Sequence, residues 1–405
     1  MKRIVVTGMG MINALGHDRN SFEAIAQGRS GVAPITLCAH DDLPSTIAAE
    51  VKGFDPEVII KKKEIKKIDR FIQLGLHAAL EAFDDASLET IDVSRFGVAG
   101  ATGMCGIGTL EAAIAKNLQG SLRHTSPFLI PSYIPNMLGG QVSLRFGMRG
   151  PNLSITTACA AGTHAIIEAY KTLQFGQCDG MLVVGAEASV TPTAMAGFGT
   201  MNALSTRNDD PAAASRPFDA GRDGFVMGEG AGVLVVETLE HAMKRGAKIY
   251  GEIVGFGESA DAYHITTPHP EGIGAKRALA LAWEMAGRPR LDYINAHGTG
   301  TLYNDRYEAA AIVELFGPEV PVSSTKGQTG HTLGAAGTIE AVIALTAMER
   351  GVIPPVINYE SSEPEMARLN LVANAAREAS LETVLSCNFG FGGTNGAVIF
   401  RRFRG

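Results

Sequence analysis

One cysteine stands between a predicted strand and a predicted helix in the segment SITTACAAGTHAI, residues 154–166. β-Branched residues precede Cys159, and alanines and a glycine follow it. A thiol at a helix N-terminus meets the positive end of the helix dipole and free backbone N–H groups, which favour the thiolate and lower its pKa from about 8.5. The small neighbours leave room for a substrate. The segment therefore predicts a nucleophile, although a buried structural cysteine beside a tight turn fits the same residues.

Two histidines lie in glycine-rich loops further along the chain. His297 follows an apolar run in YINAHGTGT, and His331 comes just before a predicted helix in SSTKGQTGHTLGAAG. Imidazole is the side chain that most often exchanges protons or donates hydrogen bonds near neutral pH. Either histidine alone is compatible with a structural role. Because strand ends converge on one cleft in a doubly wound α/β fold, we expect both histidines to lie near Cys159.

The composition narrows the class of protein. The chain has 405 residues, a net charge of −7 and 45% hydrophobic residues, which indicate a packed α/β enzyme and disfavour general binding to nucleic acid or to membranes. Its five cysteines show no metal-binding spacing, and their odd number predicts reduced thiols. The N-terminal MKRIVVTGMG reads as a strand rather than an export signal. We therefore expect a cytoplasmic enzyme without a metal.

The chain also contains an internal repeat. Four pairs of similar segments occur in the same order: RIVVTGMG from Arg3 with YGEIVGFG from Tyr250, FGVAGATG from Phe96 with DYINAHGTG from Asp292, ACAAGTHAIIEAYKTL from Ala158 with LGAAGTIEAVIALTAM from Leu333, and GEGAGVLVVE from Gly228 with GGTNGAVIFR from Gly392. They predict a duplicated α/β unit, residues 1–245 and 246–405. The first half is longer, so it should carry insertions; the candidates are residues 55–75, 126–137 and 207–224.

Motifs along the whole chain resemble those of one enzyme family. They are TTACAAGTHA, NAHGTGT, STKGQTGHTLGAAG and NFGFGGTNGA, together with VVTGMGMINALG near the N-terminus and SRPFDAGRDGFVMGEGAG in the middle. This series resembles the β-ketoacyl-acyl-carrier-protein synthases of thiolase-like fold, specifically the KAS II type of fatty acid synthesis. The resemblance implies an α/β fold with a duplicated unit, layered α-β-α-β-α around two mixed central sheets.

The resemblance implies a catalytic site of Cys159, His297 and His331, supported by Lys326. In this family an acyl carrier protein passes its acyl group from a phosphopantetheine thioester to the cysteine. Malonyl carrier protein then loses CO₂, and its carbanion attacks the acyl-enzyme to give a 3-oxoacyl carrier protein. Two imidazole N–H donors aimed at the thioester oxygen would stabilise the charge that decarboxylation develops. No resident cofactor is expected, because the carrier protein brings the phosphopantetheine.

The resemblance assigns further residues to this site. The backbone N–H groups of Cys159 and Phe391 would form an oxyanion hole, and Phe391 would gate access to the cysteine, although a core position also fits this ring. The remaining assignments are Phe389 beside the gate, Thr299 and Thr301 for the pantetheine arm, Met104 and Phe198 for the acyl pocket, and Glu308 as the family's buried acid near the lysine.

A basic segment, KKKEIKKIDR, contrasts with the acidic chain. Most such runs are solvated helix faces. Because carrier proteins are acidic and the family docks them on a basic patch, the resemblance makes four residues docking candidates: Lys63, Lys66, Lys67 and Arg123. Homodimerisation is also expected from the family.

Two departures from the family pattern touch no reacting group. Leu302 to Asp305 replace a sequence that often begins with proline, and Asn202 stands where many relatives carry an arginine that contacts the carrier or the substrate arm.

Three alternatives remain open. A specialised type II polyketide or polyene ketosynthase shares the motifs; a coenzyme A-dependent thiolase would need a second catalytic cysteine in a C-terminal CxG motif, where this chain has SCNFG; and a non-catalytic partner subunit would need a silent site.

Overall fold

Short apolar, glycine-containing strands alternate with helices along most of the chain. The computed structural model describes residues 1–39 and 41–405. The strands are β1 (Ile4–Ile12), β2 (Ala33–Pro34), β3 (Ile47–Ala48), β4 (Phe96–Ala101), β5 (Asn152–Ile155), β6 (Gly180–Glu187), β7 (Gly230–Thr238), β8 (Gly251–Ala260), β9 (Tyr293–Asn295), β10 (Pro321–Ser323), β11 (Val352–Ile353), β12 (Asn370–Leu371), β13 (Arg377–Glu378), β14 (Thr383–Gly390) and β15 (Thr394–Arg401).

Strand order repeats between the two halves. In the described residues, the main sheet has 11 strands in the order β12-β10-β9-β14-β15-β8-β1-β7-β6-β4-β5. In the first half β5, β4 and β6 are parallel while β7 and β1 are antiparallel to their neighbours; in the second half β10, β9 and β14 are parallel while β15 and β8 are antiparallel. The halves join where Ile4–Val6 pairs with Gly251–Ile253. Each half of the sheet is mixed, as the resemblance implied, and the two halves are linked by one short antiparallel contact.

Helices cover both faces of each half-sheet. They are α1 (Ser21–Ala26), α2 (Lys62–Ile65), α3 (Arg70–Asp85), α4 (Ile107–Gln119), α5 (Leu129–Tyr133), α6 (Met137–Phe146), α7 (Ala161–Gln174), α8 (Pro192–Thr200), α9 (Leu239–Lys244), α10 (Ile273–Met285), α11 (Leu302–Phe316), α12 (Lys326–Thr329) and α13 (Ala336–Arg350). Helices α3 and α6 lie on one outer face and α10 and α11 on the other, while α7 and α13 lie between the half-sheets. This is the predicted α-β-α-β-α layering. None of the helices in the described part of the chain is long and apolar enough to cross a membrane.

The two inner helices approach each other very closely. α7 and α13 are almost wholly buried, and each contacts strands of both halves. Glycines make this approach possible: a Cβ placed on Gly162 would lie 2.7 Å from the backbone nitrogen of Thr338, and one on Gly337 would lie even closer to the nitrogen of Thr163. The pair of helices therefore couples the segment that carries Cys159 to the one that follows His331.

The four repeated segments occupy matching places in the sheet. They correspond to β1 and β8, to β4 and β9, to α7 and α13 with the turns before them, and to β7 and β15. The predicted boundary at residue 245 lies between α9 and β8.

The insertions of the first half are longer than the candidate segments. One covers residues 102–136 between β4 and α6, and another covers residues 188–229 between β6 and β7, where the second half has a three-residue turn between β14 and β15. The proposed segments 126–137 and 207–224 are parts of these. The third, 55–75, is only partly an insertion, because it includes the first turns of α3, which packs on the sheet as α10 does in the other half.

Candidate active site

A sharp turn places Cys159 between the two half-sheets. Ala158 adopts a left-handed backbone conformation with φ of +50°, and Leu333 has φ of +44° at the equivalent place before α13. Residues with a Cβ rarely adopt this conformation, so the surrounding structure must hold it. A 3₁₀ turn over Ala158–Ala160 then leads into α7, which begins at Ala161. The strain directs the cysteine out of the strand and into the cleft.

The thiol of Cys159 lies at the wall of the cleft, in a half-buried residue. Burial raises its pKa to about 12. This effect outweighs the lowering of the pKa by the Lys326 charge and by the backbone N–H groups of Phe391 and Cys159, which are directed at the sulfur. The expected lowering of this pKa is therefore wrong for the free protein, because loss of hydration costs the thiolate more than the N–H groups return. These are the two N–H groups that the resemblance assigns to the oxyanion hole.

His331 contacts the thiol directly. Its Nε2 lies 3.1 Å from Sγ of Cys159. Backbone hydrogen bonds hold the residue on both sides, from its N–H to the oxygen of Val226 at 2.7 Å and from the N–H of Gly228 to its oxygen at 2.9 Å. The edge of the Phe225 ring packs against the imidazole at 5.2 Å between centroids. Among the described residues Nδ1 has no hydrogen-bond partner, so neither tautomer of this ring is fixed.

His297 lies on the other side of the cleft, with its ring centroid 5.3 Å from that of His331. Its backbone N–H donates to Glu308 Oε1 at 2.7 Å, and its carbonyl accepts from Lys326 Nζ at 2.6 Å. The ring of Phe389 packs against the imidazole at 5.6 Å. Glu308 and Lys326 thus hold the histidine loop by its backbone and leave the ring to face the cavity.

The lysine has a buried acid as its partner. Lys326 forms an ion pair with Glu340, and both side chains are at most 3% exposed. Glu308, the buried acid that the resemblance implies near the lysine, accepts from the backbone N–H groups of the His297 loop, whose carbonyl accepts from Lys326. Asn388 completes the network: its Nδ2 lies 2.7 Å from Glu340 Oε2 and 3.3 Å from His297 Nδ1. A continuous set of contacts therefore runs from Lys326 to the imidazole.

Both histidines are neutral at pH 7. Burial lowers the pKa of His297 well below its ordinary value, and the positive charge of Lys326 lowers it further. The pKa of His331 is lowered for the same two reasons. Since a neutral imidazole carries one N–H, each ring can donate one hydrogen bond to an oxygen in the cleft while the other nitrogen accepts.

A cavity of about 370 Å³ connects these groups. Cys159 and both histidines line it, and so do Thr299 and Thr301, whose hydroxyl oxygens lie 2.9 Å apart. The cavity is large enough for a thin, partly polar arm, and the two hydroxyls are the kind of groups that an amide-containing chain would need.

The predicted gate and pocket residues separate into two sets. Phe198, Phe389 and Phe391 line the cavity, and the rings of Phe198 and Phe391 are 6.1 Å apart. Met104 does not line this cavity; it belongs to an apolar cluster that also includes Cys159 and Phe198. An apolar region therefore lies beside the cysteine, next to the wall that the phenylalanines form.

The docking candidates come from two segments with exposed or half-exposed side chains. They are Lys63, Lys66 and Lys67 in and after α2, and Arg123 in a 3₁₀ turn. Lys66 lines a surface recess of about 200 Å³ with His124, and Lys67 Nζ lies 4.6 Å from the ring centroid of Phe128. The fold thus joins two segments that are distant in sequence. In the described part of the chain, no residue lines both this recess and the catalytic cavity.

Several residues of the site were missed by sequence analysis. Glu340 could have been suspected, because it is the one acid in the otherwise apolar centre of α13. Asp305, wholly buried, accepts a hydrogen bond from the N–H of Thr299 and so shapes the threonine loop. Phe225 and Asn388 give no comparable signal, since a ring or an amide at either position is equally consistent with ordinary packing.

The duplicated five-layer fold, with a cysteine and two histidines brought together from both halves, defines the class of thiolase-like condensing enzymes. Within this class, the family model "Beta-ketoacyl synthase, N-terminal domain" matches residues 1–242, and "Beta-ketoacyl synthase, C-terminal domain" matches residues 250–360. The chain belongs to the β-ketoacyl synthase family. It is accordingly an acyltransferase of the condensing type.

Relatives and solved structures agree with this membership. The chain is 45% identical to 3-oxoacyl-[acyl-carrier-protein] synthase 2 of Coxiella burnetii, with 99% of each chain covered. A crystal structure of a β-ketoacyl synthase from Burkholderia phymatum has a TM-score of 0.93 and 37% identity, and each chain is covered completely. A type II polyketide ketosynthase, solved with its acyl carrier protein and bound to the hexaketide, has a TM-score of 0.90 and 31% identity, also with complete coverage of both chains.

Proposed function

We propose that this protein catalyses the decarboxylative condensation of malonyl-acyl-carrier protein with an acyl group carried on Cys159, in fatty acid elongation. The products are 3-oxoacyl-acyl-carrier protein and CO₂. The observation that carries the proposal is the contact of His331 Nε2 with Cys159 Sγ at 3.1 Å, beside a second neutral histidine in the same cavity. The substrate class is supported by 44–45% sequence identity, over nearly the whole chain, to 3-oxoacyl-[acyl-carrier-protein] synthase 2 of two bacteria.

The first half-reaction is a thioester exchange. The sulfur of Cys159 attacks the acyl carbonyl and passes its proton to His331, which suits a cysteine that is a thiol in the free protein. The N–H groups of Cys159 and Phe391 stabilise the oxyanion. The bond from the acyl carbon to the pantetheine sulfur breaks, and that sulfur leaves with the proton.

The second half-reaction forms the carbon–carbon bond. The malonyl carboxylate leaves as CO₂, and its bonding electrons form an enolate whose oxygen accepts hydrogen bonds from His297 and His331. The enolate carbon attacks the acyl group on Cys159, the carbon–sulfur bond breaks, and the sulfur takes up one proton from solution. Phe391 gates the cavity during the exchange of substrates, and Thr299 and Thr301 bind the pantetheine arm. Neither half-reaction as written requires a resident cofactor or metal.

The proposed partner is an acidic acyl carrier protein. Lys63, Lys66, Lys67 and Arg123 form the basic patch that attracts it, against the net charge of −7 of the whole chain. A cytoplasmic location remains a prediction.

A second copy of the chain is the other proposed partner. β5 is the last strand of the sheet, and alternate residues of it, Asn152 and Ser154, direct their backbone N–H groups away from β4. An open strand edge tends to pair with another chain, so a homodimer that joins two β5 edges is proposed.

The cysteine assignment is tested with Cys159→Ala. This variant should lose acyl loading and condensation because it lacks the nucleophile, yet it should still release CO₂ from malonyl-acyl-carrier protein, because the histidine pair remains. Intact-protein mass spectrometry measures loading, and release of labelled CO₂ measures decarboxylation. A mass increase of the variant after incubation with acyl-acyl-carrier protein would show that another residue is acylated.

Two alternatives differ in measurable ways. The similarity to the ketosynthase of a type II polyketide synthase keeps a specialised synthase as the second candidate. To separate the two reactions, wild-type protein is incubated with malonyl carrier protein and with carrier proteins that hold acyl chains of graded length. Products of several successive condensations without reduction would indicate the polyketide reaction. A thiolase is disfavoured because Cys387 is fully buried, lies 3.5 Å from Glu308 and has a pKa raised well above its ordinary value by burial.

A further inference from the structure

A buried amide links the ion pair of the site to one of its two histidines. Asn388 lies on β14 with no exposed surface. Its Oδ1 accepts from the hydroxyl of Thr163 at 2.5 Å, and its Nδ2 reaches both Glu340 Oε2 at 2.7 Å and His297 Nδ1 at 3.3 Å. Every polar atom of this side chain is therefore in contact with a group from a different element.

These contacts determine where the hydrogens lie. Glu340 is paired with the Lys326 ammonium, so its carboxylate accepts hydrogen bonds and the amide edge that faces it must be the NH₂ group. The Thr163 hydroxyl donates to the opposite edge, which agrees with an oxygen there. One N–H of Asn388 points to Glu340, and the second is left for His297. The Nδ1 of His297 must then be an acceptor, which leaves the ring hydrogen on Nε2.

We propose that Asn388 is a positioning residue that fixes His297 as the Nε2–H tautomer. The Nε2 edge is the one that remains for the cavity, which the His297 ring lines. His331 differs, since its Nδ1 has no partner in the part of the chain that the structure describes. His297 is therefore a permanent hydrogen-bond donor, whereas His331 is free to exchange a proton with Cys159.

This division of labour rests on the proposed function, in which His297 donates only to the enolate oxygen and His331 also receives the proton of the thiol. If the division holds, damage to Asn388 impairs decarboxylation more than loading. A residue with a merely structural role would impair both alike.

The decisive variant is Asn388→Asp, which keeps the shape and changes only the hydrogens. An aspartate has at most one carboxyl hydrogen, and the adjacent Glu340 oxygen takes it, so His297 Nδ1 now faces an oxygen lone pair. The imidazole then turns to the Nδ1–H tautomer and presents a lone pair to the cavity. An incorrect tautomer in a correct geometry is enough to disable a catalytic imidazole.

Three properties are compared between proteins that differ only at residue 388: the His297 tautomer, the decarboxylation rate and the acyl loading rate. Two-bond ¹H–¹⁵N correlation on ¹⁵N-histidine-labelled protein reports each tautomer, and the His297 signals are assigned by their loss in His297→Gln. Decarboxylation is measured with Asn388→Asp added to Cys159→Ala, and acyl loading is measured with Asn388→Asp in otherwise wild-type protein. We expect a change of the His297 tautomer, a decarboxylation rate lower by about 100- to 1,000-fold, as for loss of one oxyanion donor, and loading within about threefold of wild type, since the thiol's partner is unaltered.

Asn13→Asp is the matched control, because Asn13 is also buried and hydrogen-bonded, to Ser21 and Leu15, but does not line the cavity. It should leave the His297 tautomer and both rates unchanged. A parallel fall of loading and decarboxylation in Asn388→Asp, or an unchanged decarboxylation rate, overturns the proposal. So does an Nδ1–H tautomer of His297 in the wild-type protein, a result that requires no variant to fold. Absence of decarboxylation by the Cys159→Ala protein would count against the proposed function, while the tautomer measurement would still decide the role of Asn388.

Discussion

At the scale of single residues, burial decides the protonation of the site. It raises the pKa of Cys159 and lowers those of His297 and His331, so all three side chains are uncharged at neutral pH beside the Lys326–Glu340 ion pair. An uncharged pair of donors can respond to negative charge that develops on a substrate without first losing hydration. The resting site is therefore prepared for an anionic intermediate and holds little charge of its own.

The pH dependence of decarboxylation tests this arrangement. Since the pKa of each histidine lies well below 6.5, the rate of CO₂ release by Cys159→Ala should stay level as the pH falls from 8 through 6.5. It should decline only at lower pH, where a proton on His297 Nδ1 would face the N–H of Asn388 and break that contact. The same uptake favours unfolding, because an unfolded histidine binds a proton at higher pH. A midpoint at or above pH 6.5, in protein that circular dichroism shows to be folded, would contradict the assigned pKa directions.

At the scale of elements, two strand–turn–helix units meet back to back. The turns at Ala158 and Leu333 have the same left-handed backbone, and the helices that follow them touch at Gly162 and Gly337. Cys159 and His331 come from these matching turns, so the distance between the sulfur and the imidazole depends on how closely α7 and α13 pack. Because the two helices touch through backbone atoms, no flexible side chain at this contact can move to accommodate a larger residue.

Gly162→Ala should therefore destabilise the protein, although alanine favours a helix over glycine by about 1 kcal/mol. The new Cβ would lie 2.7 Å from a backbone nitrogen of α13, and overpacking of this kind costs about 1–3 kcal/mol. We expect a lower melting temperature and slower acyl loading. Gly140→Ala in α6 is the control, because its Cβ would meet only Met137 side-chain atoms at 3.6 Å or more, and it should keep or raise the melting temperature. Equal stability of the two variants would mean that the inner helices can separate without cost.

At the scale of the whole molecule, the repeat creates one cleft and leaves one open edge. Each half supplies part of the site: Cys159 comes from the first, and His297, His331 and Lys326 come from the second. The two halves of the main sheet are joined at its centre by the pairing of β1 with β8. Strand β5 forms one edge of the sheet, and the N–H groups of Asn152 and Ser154 point outward from it. An edge of this kind suits a second copy of the same chain.

The proposed homodimer is tested at that edge. Ser154→Pro removes an outward N–H and places a ring where a partner strand would lie, so its molar mass by light scattering should fall toward the 42.6 kDa of one chain. Ser154→Ala keeps the N–H and should retain twice that mass. If the proline variant is folded and dimeric, the dimer forms elsewhere; if the wild-type protein is monomeric at micromolar concentration, there is no stable dimer.

Much of the fold and part of the site could be read from local sequence. The repeat is visible because matched segments such as those starting at Ala158 and Leu333 need the same glycines and apolar spacing to form the same elements. Motif order alone identified Cys159, His297, His331 and Lys326, since reacting groups in this family sit in short, distinctive loops. The limits of the insertions were missed, because irregular segments have no periodicity to mark them.

Tertiary structure alone decided the energetics and the partners. The pKa of Cys159 depends on burial by distant segments, which no local pattern reports, so the helix N-terminus suggested the wrong direction. Glu340 pairs with Lys326, and Asn388 reaches His297 across 91 residues of chain, because long-range packing brings these groups together. The sequence by itself determined which groups could react and in which loops they lie. The fold decided their protonation, their tautomers and their neighbours, because these depend on hydration and distance in three dimensions.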